Sequence, residues 1–541
     1  MTKIELPGRI FGLVVSGVLI ASSSIKVAAD SSVTTHSNTA RLYGVHEITL
    51  PADDLGSRSP WTDVEVAVDY TLPDGTRKTV DGFYDGEGRF KSRAYCCQVG
   101  RWSWRSRSSL ASLDRGEGSF EVVASRLQGK LRKHPQDPRQ FARDNGEWFL
   151  HIGDTGYRYV TATEPQWKAY IDQVAEIGVT KVRTWFCQGR GDVQILFDDD
   201  RKGLNLAYWQ EIDRRLVYAL SEHPDVVFQL IPYGEDTEEL LRYRDGDPAS
   251  RLIARYAQAR FSALPNVTWC ISNDREIVAD DTSLKGRRVP AGVIDMIGRD
   301  MAAREPWGTL ITNHQARFSG YAFVDAPWSD IVTIEDLDQV GGEALLDYRA
   351  RGSDPVVNDE DRYELYRSPK DPRYFFRRLM WASLFSGGQA TYGGLRTYEP
   401  YDGGVQGVQG YLDAVRDGKL TGGAADFRQI HRFFDEAGLT LVGMIPDDAA
   451  AGNDPLRRKC IHNDDVILVY LANPDGEKAE TDRAGKKTPT VVLQLPAGRY
   501  GGRWFNPVTG EWSTVGEIKG PAATCTAPGA GDWVLLVERL R

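Results

Sequence analysis

No two cysteines of this chain stand in a C-x-x-C arrangement, and only six cysteines and eight histidines occur in 541 residues. The spacing that gathers thiolates around zinc is therefore missing. Cys96 and Cys97 are adjacent and poorly placed to satisfy each other, Cys187 and Cys270 read as core thiols, and Cys460 and Cys525 share one region and could pair. An excess of cations is missing too. Lys and Arg number 66 against 76 Asp and Glu, a net charge of −10, which argues against a nucleic-acid partner, because such a partner needs a basic face to neutralise phosphates. Long apolar runs are absent after residue 21. The one such run, FGLVVSGVLIA (11–21), falls short of the ~20 residues a spanning helix needs. It follows Lys3 and Arg9 and leads to Val27-Ala28-Ala29 before Asp30, the pattern of a cleaved export signal over residues 1–29. The expectation is a secreted or periplasmic protein with no membrane span. Residues 1–29 carry a net charge of +2, so cleavage would take −10 to −12. There is no internal repeat or low-complexity tract.

What is abundant is aromatic: 14 Trp, 23 Tyr and 19 Phe. In an exported protein this points to sugar stacking as well as to core. Residues 41–125 alternate apolar and polar positions in short runs such as VEVAVDYTL (64–72), broken by PDG, DGEG and DRGEG turns, the texture of a β-sandwich. From about 141 the texture changes to short apolar strands separated by helix-like segments such as 164–178 and 248–263. The strands read as 149–155, 179–186, 226–233, 266–274, 308–314, 330–336, 354–360 and 387–394. Nearly continuous apolar runs suit parallel strands buried on both faces, and eight such units predict a (β/α)8 TIM barrel. After about 440 alternation returns. The predicted architecture is α/β: an N-terminal β-sandwich (30–138), a barrel (139–442) and a C-terminal β-sandwich (443–541).

Barrel active sites gather at the carboxyl ends of the strands, which reduces 76 acidic residues to a few: Asp154, Asp274, Glu335, Asp336, Asp359, Glu360 and Asp361. Strands four and seven face each other across the mouth, so Asp274 and Glu360 can flank a glycosidic bond, one giving a proton and the other attacking carbon. Within VVNDEDRYE (356–364), a period of two groups Val356, Asn358 and Glu360 on one face and turns Asp359 away. Glu360 is the expected nucleophile and Asp274 the expected acid/base, its pKa raised by burial and by the charge of Glu360. For any single strand-end carboxylate the competing role is a helix N-cap or a loop ion pair. The remaining substrate-binding candidates are Asp154 and Thr155 on strand one, Arg183 and Trp185 on strand two, Tyr233, Asn273, His314, Glu335 and Tyr392, with Trp381 as a possible floor. Packing competes for each aromatic. The run Asp198-Asp199-Asp200 reads as solvated charge rather than a calcium loop, and the Asn266-Val267-Thr268 sequon enters a buried strand. No metal and no organic cofactor is required.

The stretches HIGDTGYRY (151–159), PNVTWCISNDREI (265–277), PVVNDEDRYE (355–364) and GGQATYGG (387–394) resemble the apiosidase-like glycoside hydrolases. The resemblance implies a retaining (β/α)8 enzyme with its acid/base after strand four and its nucleophile after strand seven. Relatives carry a strand-four motif similar to NVxWxxxNE, where this chain has Asp274. The apiosidase branch is expected to use an aspartate there, and a lost acid is the alternative. Residues 41–125 resemble the sandwich found ahead of such barrels, and GRWFNPVTGEW (502–512) with GDWVLLV (531–537) resembles a C-terminal domain described in this group as collagen-binding. The implied substrate is a plant or algal polysaccharide or oligosaccharide, cleaved by exo action. An inactive glycan- or matrix-binding protein is the alternative, and the oligomeric state stays open.

Overall fold

The computed structural model describes residues 34–35, 38–187, 193–198, 200–279, 286–317, 319–364, 367–393 and 422–540. The expected export signal, residues 1–29, and Asp199 lie outside the described residues. Eight parallel strands form one sheet: β1 (Ile152–Thr155), β2 (Lys181–Trp185), β3 (Val227–Ile231), β4 (Val267–Cys270), β5 (Ile311–Thr312), β6 (Val332–Glu335), β7 (Val356–Glu360) and β8 (Gln389–Tyr392). Hydrogen-bonded neighbours run in the order β5-β4-β3-β2-β1-β8-β7-β6. The sheet closes at the β5/β6 seam, where Asp330 N–H donates to the Ile311 carbonyl at 2.8 Å and the Thr312 hydroxyl donates to the Ile331 carbonyl at 2.7 Å. The result is the (β/α)8 barrel that the strand texture implies.

Around it lie α1 (Glu164–Glu176), α2 (Leu206–Glu222), α3 (Thr237–Arg244), α4 (Pro248–Phe261), α5 (Ala291–Arg304), α6 (Glu343–Arg351), α7 (Pro372–Phe385) and α8 (Phe427–Ala437). Local sequence sets their starts. Asp236, Asp247 and Asp371 each accept a backbone N–H three residues on, and Pro248 and Pro372 occupy first helical positions where no donor is needed. Three aspartates are thus caps, the competing role for loop carboxylates. None of these helices is long and apolar enough to cross a membrane.

The predicted first strand divides in two. Trp148–Phe149 pairs with Phe141–Arg143, which pairs with Leu131–Lys133, in a small antiparallel sheet. Its Leu131, Phe141 and Phe149 pack on Val227, Leu310, Ile331 and Val357, plugging the N-terminal end of the barrel with apolar surface.

Ahead of it, a four-stranded and a five-stranded sheet pack face to face. His46 stacks on Phe120 at 3.7 Å and the Tyr70 hydroxyl bonds Ser92 at 3.2 Å across the gap. Buried ion pairs fasten this region to the barrel helices: Arg93 donates to Glu47 and to both Asp213 oxygens, and Arg260 to Asp85 and Asp213. After α8 come a six-stranded and a two-stranded sheet with a common core that includes Val469, Leu493, Trp504 and Leu535. Cys460 and Cys525 are both buried there as free thiols, so the suggested pairing is not made; each fills core volume as a small apolar group.

Candidate active site at the barrel mouth

Register fixes which side chains enter the barrel. Neighbouring strands pair Gly153 with Lys181, Thr155 with Arg183, Lys181 with Val227, Arg183 with Gln229 and Trp185 with Ile231. Paired residues of adjacent strands share a face, and alternation sends the residues between them to the helices. Lys181, Arg183 and Trp185 therefore point inward. The interior of the lower barrel is polar: Asp359 accepts from Lys181, from Thr391 Oγ1 at 2.5 Å and from Gln229 Nε2 at 2.8 Å, with Arg183 Nη1 at 3.8 Å. Gly153 makes room for this, since a Cβ there would lie 2.3 Å from Thr391 Oγ1. Burial alone would raise the Asp359 pKa, but the charges of Lys181 and Arg183 outweigh it and hold the carboxyl well below the usual range. Burial also pushes Lys181 down to about 8, and burial with the Lys181 charge takes His151 down to about 3, leaving that ring neutral.

This overturns the parity argument for strand seven. Asp359 contacts β2 and β3 across the barrel, so it faces inward, while Asn358 donates outward to the Asp336 carbonyl at 3.1 Å. Strict alternation would then send Glu360 to the helices. Instead the β6/β7 ladder slips between Ile334 and Glu335, so that Ile334 pairs with Asn358 and Glu335 with Glu360. The irregularity acts as a bulge and re-aims the last side chain. Glu360 thereby points into the mouth on the same side as its sequence neighbour.

There Glu360 Oε2 accepts from Arg183 Nη2 at 2.7 Å and from the Tyr157 hydroxyl at 3.0 Å. Tyr157 is itself fixed: Arg183 and Asn273 Nδ2, the latter at 3.2 Å, donate to its oxygen, and its ring stacks on Trp185 with centroids 4.1 Å apart. Asn273 is anchored through its backbone N–H to the Gly234 carbonyl at 2.8 Å. Asp274 follows with φ +51°, the left-handed region. Among residues with a Cβ, Asp and Asn tolerate that conformation best, a backbone reason for an aspartate at this position. Its carboxylate lies 3.4 Å from His314 Nδ1 and 3.8 Å from Arg287 Nη2. Glu335, ending β6, takes the Arg317 backbone N–H at 2.9 Å and faces the Arg317 guanidinium at 2.5 Å.

Asp274, His314, Glu335 and Glu360 each bring one nitrogen or oxygen to within 4.8 Å of the others. A hard cation would find three carboxylates there. Guanidinium groups already occupy two of them, Arg183 on Glu360 and Arg317 on Glu335, and would repel a second positive centre. The proton lies elsewhere than expected. Burial favours protonating Asp274, but the His314 contact, a hydrogen bond from Glu335 and the Arg287 charge outweigh it and hold that carboxyl below its usual range. Burial, then the charges of Glu360 and Asp274, push Glu335 up to about 10 despite Arg317. Within the cluster these influences favour protonation of Glu335 over Asp274.

The other candidates divide. Trp185, Arg183, Asn273, His314 and Glu335 gather at the mouth. Thr155 is inward by register and buried. Asp154 pairs with Val182 and Tyr392, faces α1, and accepts from the Tyr170 hydroxyl at 2.5 Å, so it does not reach the mouth. Tyr392 bonds Glu364 and packs on Phe376 and Phe427. Tyr233 donates to the Ser250 carbonyl at 2.9 Å in the helical layer, and Trp381 is held among Phe433, Phe434 and Tyr470. Asp154 and Tyr392 lie on outward parity and Trp381 in α7, while Tyr233, in the turn after β3, leaves the inward alternation and is held in the helical layer by its bond to Ser250. Tyr157, Arg317 and the Lys181–Asp359 pair were missed. Tyr157 sits two residues past inward-facing Thr155, a signal available only once register is known. At the opposite end of the barrel, a cavity of about 480 Å3 is lined by Trp148, Thr180, Val226, Arg428 and His431. His431 already meets the Gly178 carbonyl at 2.8 Å and Trp148 Nε1 donates to Gln140, so these polar groups serve the fold.

An eight-stranded parallel barrel with carboxylates at the ends of its fourth and seventh strands defines a molecule of the glycoside hydrolase class. Residues 135–419, a little over half of the chain, match the family described as apiosidase-like, catalytic domain, and the chain belongs to that family. Residues 39–109 match a family described as a domain of unknown function, DUF5060. No curated protein matches. Among solved structures, a candidate glycoside hydrolase from Bacteroides vulgatus is similar over 93% of this chain and 100% of its own, at 17% identity with a TM-score of 0.72. A family 5 glycoside hydrolase from the same organism is similar over 76% of this chain and 93% of its own, at 16% identity and TM-score 0.58. At these identities the likeness is one of fold.

Proposed function

We propose that this protein is an exported, retaining glycoside hydrolase that removes sugars from the ends of a branched plant or algal polysaccharide, as an apiosidase does. The observation that carries this reading is the approach of Asp274 and Glu360 across the mouth, with one atom of each inside a 4.8 Å cluster. Retaining enzymes keep their carboxyl groups about 5–5.5 Å apart, whereas inverting enzymes leave roughly 6.5–9.5 Å for a water. Glu360, paired with Arg183 and aimed by Tyr157, attacks the anomeric carbon as the leaving oxygen takes a proton from Asp274. Water, deprotonated at the same carboxylate, then cleaves the glycosyl ester and restores Glu360. Trp185, buried against Tyr157, holds that ring in place beside the nucleophile. Export is supported by the N-terminal pattern of residues 1–29.

The test is sugar release from pectic and algal polysaccharides by wild type and Glu360→Gln, with the anomer of the first product read by proton NMR. Release with retained configuration by wild type alone is expected. Equal release by both proteins removes Glu360 from the reaction, and an inverted product removes the covalent intermediate. Binding of polysaccharide without release by wild type would leave a binding protein instead.

A further inference from the structure

Retaining hydrolysis needs two carboxylates, and the mouth holds three. Glu335 comes from β6, between His314 after β5 and Glu360 on β7, and shares the 4.8 Å cluster with both of them and with Asp274. Its backbone is fixed in the ladder opposite Glu360 and its carboxyl is gripped by Arg317 through backbone and side chain. The charged or titratable groups facing it are Asp274, His314, Arg317 and Glu360, with Arg287 on the far side of Asp274 and Arg183 on the far side of Glu360. Like charges at this range disfavour one another, so three adjacent buried carboxyl groups favour keeping a proton among them even with guanidinium groups nearby.

Resting on the hydrolase reading above, we propose that Glu335 is a positioning residue that stores the proton for Asp274 and hands it over during glycosyl transfer. In the resting site Glu335 is a carboxylic acid hydrogen-bonded to the Asp274 carboxylate, and Glu360 is the carboxylate paired with the Arg183 guanidinium. As Glu360 bonds to the anomeric carbon and the glycosidic carbon–oxygen bond breaks, Asp274 gives a proton to the leaving oxygen and receives one from Glu335. The site then holds a neutral ester and two carboxylates, so its charge is unchanged and the leaving group departs as an alcohol. Water attack returns one proton to the Asp274–Glu335 pair and frees ionised Glu360. The timing follows from electrostatics. The charge on Glu360 is, after burial, the largest influence keeping the proton on Glu335, and ester formation removes that charge when the leaving group needs the proton. This arrangement explains how an aspartate with a depressed pKa serves as an acid.

The test uses the full chain and needs no ligand for its first arm. Infrared difference spectra of wild type against Glu335→Gln at neutral pH should contain a protonated-carboxyl band that the variant lacks. In the second arm, dinitrophenyl and phenyl glycosides of the sugar that wild type releases are compared. Glu335→Gln should lose about 100-fold in kcat on the phenyl substrate, change little on the dinitrophenyl substrate, whose leaving group needs no proton, and shift its alkaline limb to lower pH. Glu335→Asp, which keeps a proton, should restore part of the loss and stands in if the glutamine variant does not fold. An unchanged carboxyl band, or equal loss on both substrates, overturns the proposal. So does activity abolished by a chelator and restored by calcium or manganese, since a cation would then balance the carboxylates. If Glu360→Gln is inactive while Glu335→Gln behaves as wild type, this proposal fails and the hydrolase reading stands; an active Glu360→Gln instead removes the reading beneath it.

Discussion

Replacing Asp359 by asparagine separates the barrel's interior ion pair from its chemistry. The wild-type carboxylate is fully buried and accepts from Lys181, Thr391 and Gln229, with Arg183 3.8 Å away. Asparagine keeps the shape but turns one acceptor into a donor, which must then face Gln229 or Lys181, and it removes the only carboxylate these hydrogen bonds give Lys181. Removing one partner of a buried pair costs about 3–5 kcal/mol. Protonation limits the cost. Lys181 is already pushed down to about 8 by burial, and without its counter-charge it falls further and sheds its proton. In the variant, the unfolded chain then binds one more proton than the native state from that lowered pKa upward, so stability rises by about 1.4 kcal/mol per pH unit. Wild type shows no such rise from this residue until about pH 8. The gap should therefore be widest in mildly acidic solution and narrow toward pH 8. Urea unfolding of both proteins at pH 6, 7 and 8 measures it. Sodium azide assays complete the test: azide should rescue Glu360→Ala by replacing the nucleophile and leave Asp359→Ala unrescued. Equal stability at pH 6, a gap independent of pH, or azide rescue of Asp359→Ala would refute the reasoning.

Three further outcomes follow from named contacts. Tyr157→Phe removes a hydrogen bond to the Glu360 carboxylate at 3.0 Å; at about 1.5–3 kcal/mol for a bond to a charged group, kcat/KM should fall roughly 10- to 100-fold while the melting temperature moves little. Arg93→Met strips Glu47 and Asp213 of a buried guanidinium and should lower unfolding free energy by about 3–5 kcal/mol, with kcat per folded molecule unchanged. Asp154→Asn tests the outward placement of that residue. Burial raises Asp154 to about 7, so the wild-type native state holds a proton that the unfolded state lacks between its ordinary pKa and 7, and stability from this group is lost as pH rises through that window. The neutral variant should be at least as stable as wild type at pH 8, with kcat/KM unaltered; a large catalytic loss would return Asp154 to the site.

The corrections have one physical origin. Asp154 and Tyr392 lie in the carboxyl-terminal halves of their strands, as Trp185 does, and nothing in composition separates them. The pairing of Asp154 with Val182 and Tyr392 places them on the helical face. Glu360 reaches the mouth because the β6/β7 ladder slips by one residue, a displacement that leaves no trace in the hydrophobic pattern. The Asp274 pKa runs opposite to expectation because its direction depends on where His314, Glu335 and Arg287 stand, three residues drawn from distant parts of the chain.

Sequence alone determined the number and order of the barrel strands, the β texture on either side, and the short set of carboxylates at strand ends, because apolar runs, turn residues and alternation are local properties of a chain. Tertiary structure decided which side of each strand faces inward, that a plug of Leu131, Phe141 and Phe149 seals one end, that Lys181 and Asp359 meet within the barrel, and that Asp274, Glu335 and Glu360 crowd together at the mouth. Those outcomes depend on register and on fields summed over side chains far apart in sequence, and both come into being only when the strands close.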